Sequence, residues 1–200
     1  MAPNLAIDAE STADLTDYAR VSIAFDVRVV FDVGEPAADR ASLVLTERRL
    51  ERPYVKDYDA VDGDHPTHWA RRFDLSKWIA FAARRGATRV GSAAVAFDTG
   101  EVELLEGRRD LAILWDLRVA PSARGQGVGT ALFRAVEDWA LARGCRELKI
   151  ETQNVNVPAC RFYASRGCEL RAANRLFYPD LPEEIQLLWY KELPCGAQVP

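Results

Sequence analysis

Three glycines fall within five positions in Arg124-Gly125-Gln126-Gly127-Val128-Gly129-Thr130, between a stretch that alternates like a strand and one that repeats like a helix. On the upstream side Leu111, Ile113, Trp115, Leu117 and Val119 share one face, with Ala112, Leu114, Asp116 and Arg118 on the other, until Pro121 closes the strand. Downstream, Thr130 to Arg143 carries Leu132, Val136, Trp139 and Ala140 on one helical stripe, and Gly144 stands where a helix C′ residue belongs. A strand that turns on glycines into a helix must lay that helix on its sheet, which makes the chain α/β. The loop and the first helical turn hold backbone N–H groups that lack helical acceptors, and the helix dipole lies behind them, so an anion such as phosphate is the natural ligand. A dinucleotide fingerprint would need a third glycine where Thr130 stands, and a mononucleotide loop would need Gly-Lys-Ser/Thr. Both fail on residues. Taken alone, the loop reads equally well as a tight turn that needs glycine for its backbone.

The remaining elements follow from periodicity. Odd positions from Val21 to Val33 are all apolar, the pattern of a half-buried strand, and Leu43 and Leu45 begin an alternating partner that is expected to end before Pro53, after a turn over Gly34 to Arg40. Asp57 to Pro66, rich in Asp, Gly and Pro, reads as a surface loop. Trp78 to Ala83 and Thr88 to Phe97 read as a hairpin about Arg84-Arg-Gly86, with Gly91 marking a bulge or a close backbone approach. After the helix, Leu148 and Ile150 lie on a strand ending near Glu151. Asn156 and Pro158 then supply the cap and first turn of a second helix toward Gly167, and strands follow around Cys168 to Ala172 and Ile185 to Lys191. One domain is expected over the 200 residues, with residues 1–20 irregular and 111–193 forming the coenzyme-binding core.

A formal net charge of −4 disfavours a nucleic-acid partner recognised through its phosphates and suits a cationic small molecule. The first twenty residues lack the basic start and apolar core of a signal peptide, and no later stretch is apolar enough to span a membrane, so a cytoplasmic protein with no membrane partner is expected. Cys145, Cys160, Cys168 and Cys195 are scattered and distant from His65 and His68. They read as buried or idle thiols and not as metal ligands.

Arg124-x-x-Gly127-x-Gly129 resembles the coenzyme loop of the GNAT superfamily of acetyl-CoA-dependent N-acetyltransferases, and Asn156-Val-Pro-Ala159-Cys-Arg-Phe162-Tyr163 is similar to its second pattern, Asn-x-x-Ala-x-x-Phe-Tyr. Within that superfamily, Pro53-Tyr-Val-Lys-Asp-Tyr58, Trp115-Asp-Leu-Arg-Val119, Glu151-Thr-Gln-Asn154, Leu176-Phe-Tyr178 and Leu188-Trp-Tyr190 resemble segments of the streptothricin acetyltransferases. The resemblance implies a mixed, mostly antiparallel sheet with flanking helices and one parallel strand pair at the coenzyme site. It also implies acetyl-CoA as donor, no metal, and a homodimer of the kind many relatives form. The coenzyme contacts it implies are the backbone of Leu117, Arg118 and Val119 for pantetheine and residues Arg124, Gly125, Gln126, Gly127, Val128, Gly129 and Thr130 for pyrophosphate. Asn156, Ala159 and Phe162 would lie along the coenzyme arm, with Asn156 serving also as helix cap.

Acetyl transfer needs a neutral amine, whereas an alkylammonium has a pKa of about 10, so a base or a water path must take a proton. Glu151 and Asp116 are the candidates, and each reads equally as a carboxylate that attracts a cationic substrate. By resemblance Tyr163 places its hydroxyl at the coenzyme sulfur to protonate the leaving thiolate. Tyr54, Tyr58, Tyr178, Trp189 and Tyr190 could line an amine pocket, although aromatic residues in strands usually pack. The expected activity is N-acetylation of a streptothricin-type antibiotic. The alternatives are another amine, such as a polyamine, an amino-acid derivative or a peptide amino group, or an acyl-CoA-binding domain without chemistry.

Overall fold

The computed structural model describes residues 4–34, 43–61 and 63–194. Within them the strands are β1 (Leu5–Glu10), β2 (Phe25–Gly34), β3 (Val44–Lys56), β4 (Ile79–Arg85), β5 (Thr88–Ala96), β6 (Leu111–Val119), β7 (Glu147–Gln153), β8 (Glu169–Asn174) and β9 (Gln186–Glu192). The helices are α1 (Val128–Ala142) and α2 (Val157–Ser165). The architecture is the expected mixed α/β class, a mostly antiparallel sheet with one parallel pair. The chain divides into two compact units. The first comprises Met1–Ala24, Asp57–Leu148 and Leu193–Pro200, the second Phe25–Lys56 and Lys149–Glu192.

In the first unit the strand order is β1-β4-β5-β6, every neighbour antiparallel. The β4–β5 turn uses Gly86 at φ 60, a conformation that costs glycine little. Ala82, Ala83, Ala93, Ala94, Val95 and Ala96 are all buried, so small side chains line the middle of this sheet. An apolar cluster joins Tyr18, Trp69 and Trp78 to Leu111 and Ile113, with Phe73 and Trp115 packed against it. Trp69 sits in the 3-10 turn Pro66–Arg71, where its indole is buried and its Nε1 donates to the Asp64 carbonyl at 2.8 Å.

Gly91 is the close approach that the sequence suggests. A Cβ there would lie 2.9 Å from Val128 Cγ1, 3.0 Å from Leu132 Cδ1 and 3.1 Å from the Arg118 carbonyl. Those side chains belong to the first turns of α1, so the bare backbone of β5 lets the helix start directly on the sheet. Leu132, Phe133, Val136 and Ala140 are buried below it, and Gly144 ends the helix at φ 78.

In the second unit β7, β9 and β8 lie in that order, while β2 and β3 form a separate antiparallel ribbon. Asn154, buried just past β7, ties the two pieces together. Its Nδ2 donates to the Phe31 carbonyl at 3.0 Å and its carbonyl accepts from Phe31 N at 2.9 Å, while Oδ1 accepts from Ile185 N at 2.8 Å. Asn154 thereby links the middle of β2 to the residue that precedes β9.

Three expectations need correction. Residues 1–20 are not irregular throughout: Leu5–Glu10 pairs with β4, a register set by a partner far away in sequence. The strand expected from Val21 begins at Phe25, because the carbonyls of Val21 and Ala24 accept from Arg118 and Arg124 and leave the ladder. The partner strand runs past Pro53 to Lys56. The register jumps from Val29↔Arg49 to Val27↔Tyr54, so a proline without an N–H falls in a bulge. Of the turn expected over Gly34 to Arg40, all but Gly34 lies outside the described residues, as does Cys195.

Replacing Gly91 with Val should lower stability by about 1–3 kcal/mol through overpacking, read as a lower urea midpoint at an unchanged slope.

Candidate active site

Gly125 and Gly127 adopt φ 71 and 82, and nothing lies within 4 Å of where their Cβ atoms would be. Glycine is needed there for conformation and not for space, and the loop keeps an open face. Gly127 caps α1, whose first intrahelical bond runs from Ala131 N to the Gly127 carbonyl at 3.0 Å, so the N–H groups of Val128, Gly129 and Thr130 precede any helical acceptor. The loop is braced from its sides. Gln126 donates to the Ser122 carbonyl at 2.7 Å and accepts from Arg85, and Arg124 donates to the carbonyls of Val119 (3.0 Å) and Ala24 (2.8 Å). Open-faced glycines, unused amides and a positive dipole end fit the pyrophosphate of a coenzyme.

Upstream, β6 bulges at Trp115: Ala94 faces Asp116 but Val95 faces Leu114. Below the bulge Leu117, Arg118 and Val119 pair with Ala93, Ser92 and Gly91. The Arg118 side chain is buried and fully engaged. It grips Asp116 through Nε (2.9 Å) and NH2 (2.7 Å), Asp59 through NH1 (2.8 Å) and NH2 (3.1 Å), and the Val21 carbonyl at 3.1 Å. Tyr18 donates its hydroxyl to Asp116 Oδ1 at 2.6 Å. Burial alone would pull the Arg118 pKa down, and the charge and hydrogen bonds of Asp116 reverse that and hold it above the ordinary arginine value. Burial, followed by the Asp116 charge, pushes the Tyr18 phenol well above its usual value. Both Asp116 oxygens are therefore committed to a permanent cation and a neutral phenol. Tyr58, beside Asp59, opens the 3-10 turn Tyr58–Ala60, in which Asp57 caps Asp59 N.

The second unit holds the other carboxylate. Glu151, on β7 and partly buried, accepts from the Tyr178 hydroxyl and from Gln186 Nε2 at 2.8 Å, while Gln153 Nε2 donates to the Tyr178 oxygen at 2.9 Å. Burial, then the Glu151 charge, pushes the Tyr178 phenol far above its usual value. Lys56 and Glu184 form a nearly buried ion pair. Tyr54, 43% exposed on β3, has its phenol raised by burial and by the charges of Glu184 and Glu183.

On α2 the Asn156 side chain accepts from Ala159 N at 3.2 Å, the cap expected from sequence, with Pro158 in the first turn. Tyr163 is buried and its ring meets that of Phe162 at 5.2 Å, edge to face. Trp189 is buried and gives its Nε1 to Thr152 at 2.8 Å, a packing role, and Tyr190 lies under Lys149 and Arg171. Sequence reading did not single out the Arg118 guanidinium, Asp59, Tyr18, Gln186 or Lys56 with Glu184. Arg118 and Asp116, two apart on a strand, share a face, and that spacing was the available signal. The remaining partners come from segments that only folding brings together. Among the described residues no group of His, Cys, Asp and Glu could hold a metal, and no helix is long and apolar enough to cross a membrane.

A strand that turns on glycines into a helix N-terminus, with amides left without helical acceptors, is the arrangement of an α/β protein that holds a phosphorylated ligand. Residues 44–168 match the acetyltransferase (GNAT) family. The streptothricin acetyltransferase A of Bacillus subtilis (strain 168) is 28% identical over 81% of this chain and 87% of its own. The streptothricin acetyltransferase of Escherichia coli is 35% identical over 83% and 84%. A protein of Bacillus anthracis str. Ames, solved in complex with acetyl coenzyme A, superposes with a TM-score of 0.75 at 22% identity, covering 94% of this chain and 99% of that one. The chain belongs to the GNAT family of acetyltransferases, and its acetyl donor is acetyl-CoA.

Asp116→Asn should cost about 3–5 kcal/mol, because it leaves the buried Arg118 cation short of a counter-charge, and thermal unfolding checks this. Folded-state phenol values above the unfolded one mean stability that is present below about pH 10 and lost as pH rises beyond it. In an alkaline absorbance titration of the six tyrosines, Tyr18 and Tyr178 should ionise only on unfolding. The Cys145 and Cys160 thiols, each pushed up to about 11 by burial, should resist a thiol reagent at neutral pH until the chain is unfolded.

Proposed function

We propose that the chain acetylates a primary amine of a cationic small molecule of the streptothricin type and so confers resistance, acting in the cytoplasm, where acetyl-CoA is made, as a homodimer. The observation that carries this reading is the match of most of the chain to curated streptothricin acetyltransferases from separate organisms. The formal charge of −4 and the carboxylates Glu151 and Glu183 suit a cationic acceptor.

Acetyl-CoA supplies the acetyl group as a thioester. The amides of Gly125 to Thr130 receive its pyrophosphate with Arg124 adding charge, the backbone of Leu117 to Val119 receives its arm, and Asn156, Ala159 and Phe162 flank it. Glu151 takes the proton of the incoming ammonium. Asp116 is the poorer base, since a proton on either oxygen would have to displace the buried Arg118 guanidinium or the Tyr18 hydroxyl. The freed amine nitrogen bonds to the acetyl carbon as the carbon–sulfur bond breaks, the Tyr163 hydroxyl protonates the departing sulfur, and the second proton shed by the nitrogen restores the Tyr163 phenol by way of solvent. Tyr54 and Tyr178 border the amine side, with Trp189 and Tyr190 supporting it from behind.

Thiol release from acetyl-CoA should occur with streptothricin and not with polyamines or peptides. Turnover confined to peptides would overturn the antibiotic reading. Tyr163→Phe should lower kcat about 10²-fold at neutral pH with little change in KM for the amine.

A further inference from the structure

Glu151 sits in a ring of neutral donors drawn from separate segments of the second unit. Gln153 and Glu151 lie two apart on β7, Tyr178 comes from the loop before β9, and Gln186 opens β9 with 2% exposure. The directions of the bonds are fixed. Because the Tyr178 oxygen accepts from Gln153 Nε2, its single hydrogen is left for Glu151. An amide N–H can only donate, so Gln186 Nε2 must face an acceptor, which it finds in the second Glu151 oxygen. With a donor on each oxygen, the ring is satisfied when Glu151 is ionised, and a proton on either oxygen confronts one of the donors. The charges nearby include Glu184, ion-paired with Lys56 and acting on both Tyr178 and Tyr54, and Glu183, which acts on Tyr54.

We infer that Tyr178 and Gln186 are positioning residues for Glu151: they aim its carboxylate and keep it ionised until the amine delivers a proton, so the acid limb of the rate–pH profile is set by these two hydrogen bonds. Tyr178 is thus assigned to the base and not only to the amine pocket. Each donor stabilises the charged carboxylate, so removing one should raise the pH at which Glu151 loses its proton. Because Tyr178 is held neutral by burial and by the Glu151 charge, it remains a donor throughout the working range.

The inference rests on Glu151 as the base, and the experiment separates the two. kcat and KM are measured across the acid limb for the full chain and for Glu151→Gln, Tyr178→Phe and Gln186→Leu, with acetyl-CoA and streptothricin as substrates. Glu151→Gln should lower kcat about 10²-fold. Tyr178→Phe and Gln186→Leu should each move the acid limb to higher pH, by about one unit for the loss of one hydrogen bond to a charged group, and lower kcat several-fold below that limb. If Glu151→Gln raises only KM, the base assignment fails and the inference with it. If Glu151→Gln lowers kcat but Tyr178→Phe leaves the limb in place, the base stands and the positioning role is overturned. A Tyr178→Phe change confined to KM likewise overturns it, leaving a pocket wall. Should the buried Gln186→Leu variant fail to fold, the near-isosteric Tyr178→Phe decides alone.

Discussion

The Arg118 guanidinium is the interaction on which the first unit is built. A cation removed from water costs several kcal/mol unless every face of it is met, and here two carboxylates, a backbone carbonyl and a tyrosine ring meet it. Those partners come from β6 itself, from the segment around Tyr18 and Val21, and from the turn at Asp59. Segments far apart in sequence are thereby brought to the same strand. The segment ending at Ala24 cannot enter a ladder because its carbonyls already serve two arginines, and the ribbon can begin only at Phe25.

That constraint also separates the two carboxylates that the sequence left equivalent. Both accept from a tyrosine hydroxyl, so that contact does not distinguish them. Donor charge does: Asp116 faces a guanidinium that never gives up its proton, whereas Glu151 faces an amide and a phenol, neutral groups that can yield as a proton arrives. The same carboxylate chemistry serves as an anchor in one place and, on the proposed reading, as the base in the other.

Much of the fold could be read from local pattern. β6 and the capped α2 appear where alternation, Asn156 and Pro158 put them, and Gly91 announced a close approach before its neighbours were known. What could not be read was set at a distance. β1 is short and weakly patterned, and only β4 makes it a strand. β3 passes through Pro53 because β2 offers a bulge there. In the site, the glycine loop and Tyr163 lie on motifs with fixed spacing, while Gln186 and Tyr178 join Glu151 through folding alone, and nothing in Gln186 or its neighbours in sequence signals a partner.

Gly91 carries a consequence for inheritance as well as for packing. The missing side chain at β5 sets how closely the opening turn of α1 rests on the sheet, through Val128 and Leu132, and that turn carries amides without helical acceptors. On the proposed reading of the loop, an allele at position 91 would present as a defect in donor affinity while every residue of the loop stayed intact. A genetic screen that scored only the loop would credit it with a property that a hydrogen atom more than thirty residues upstream helps to maintain.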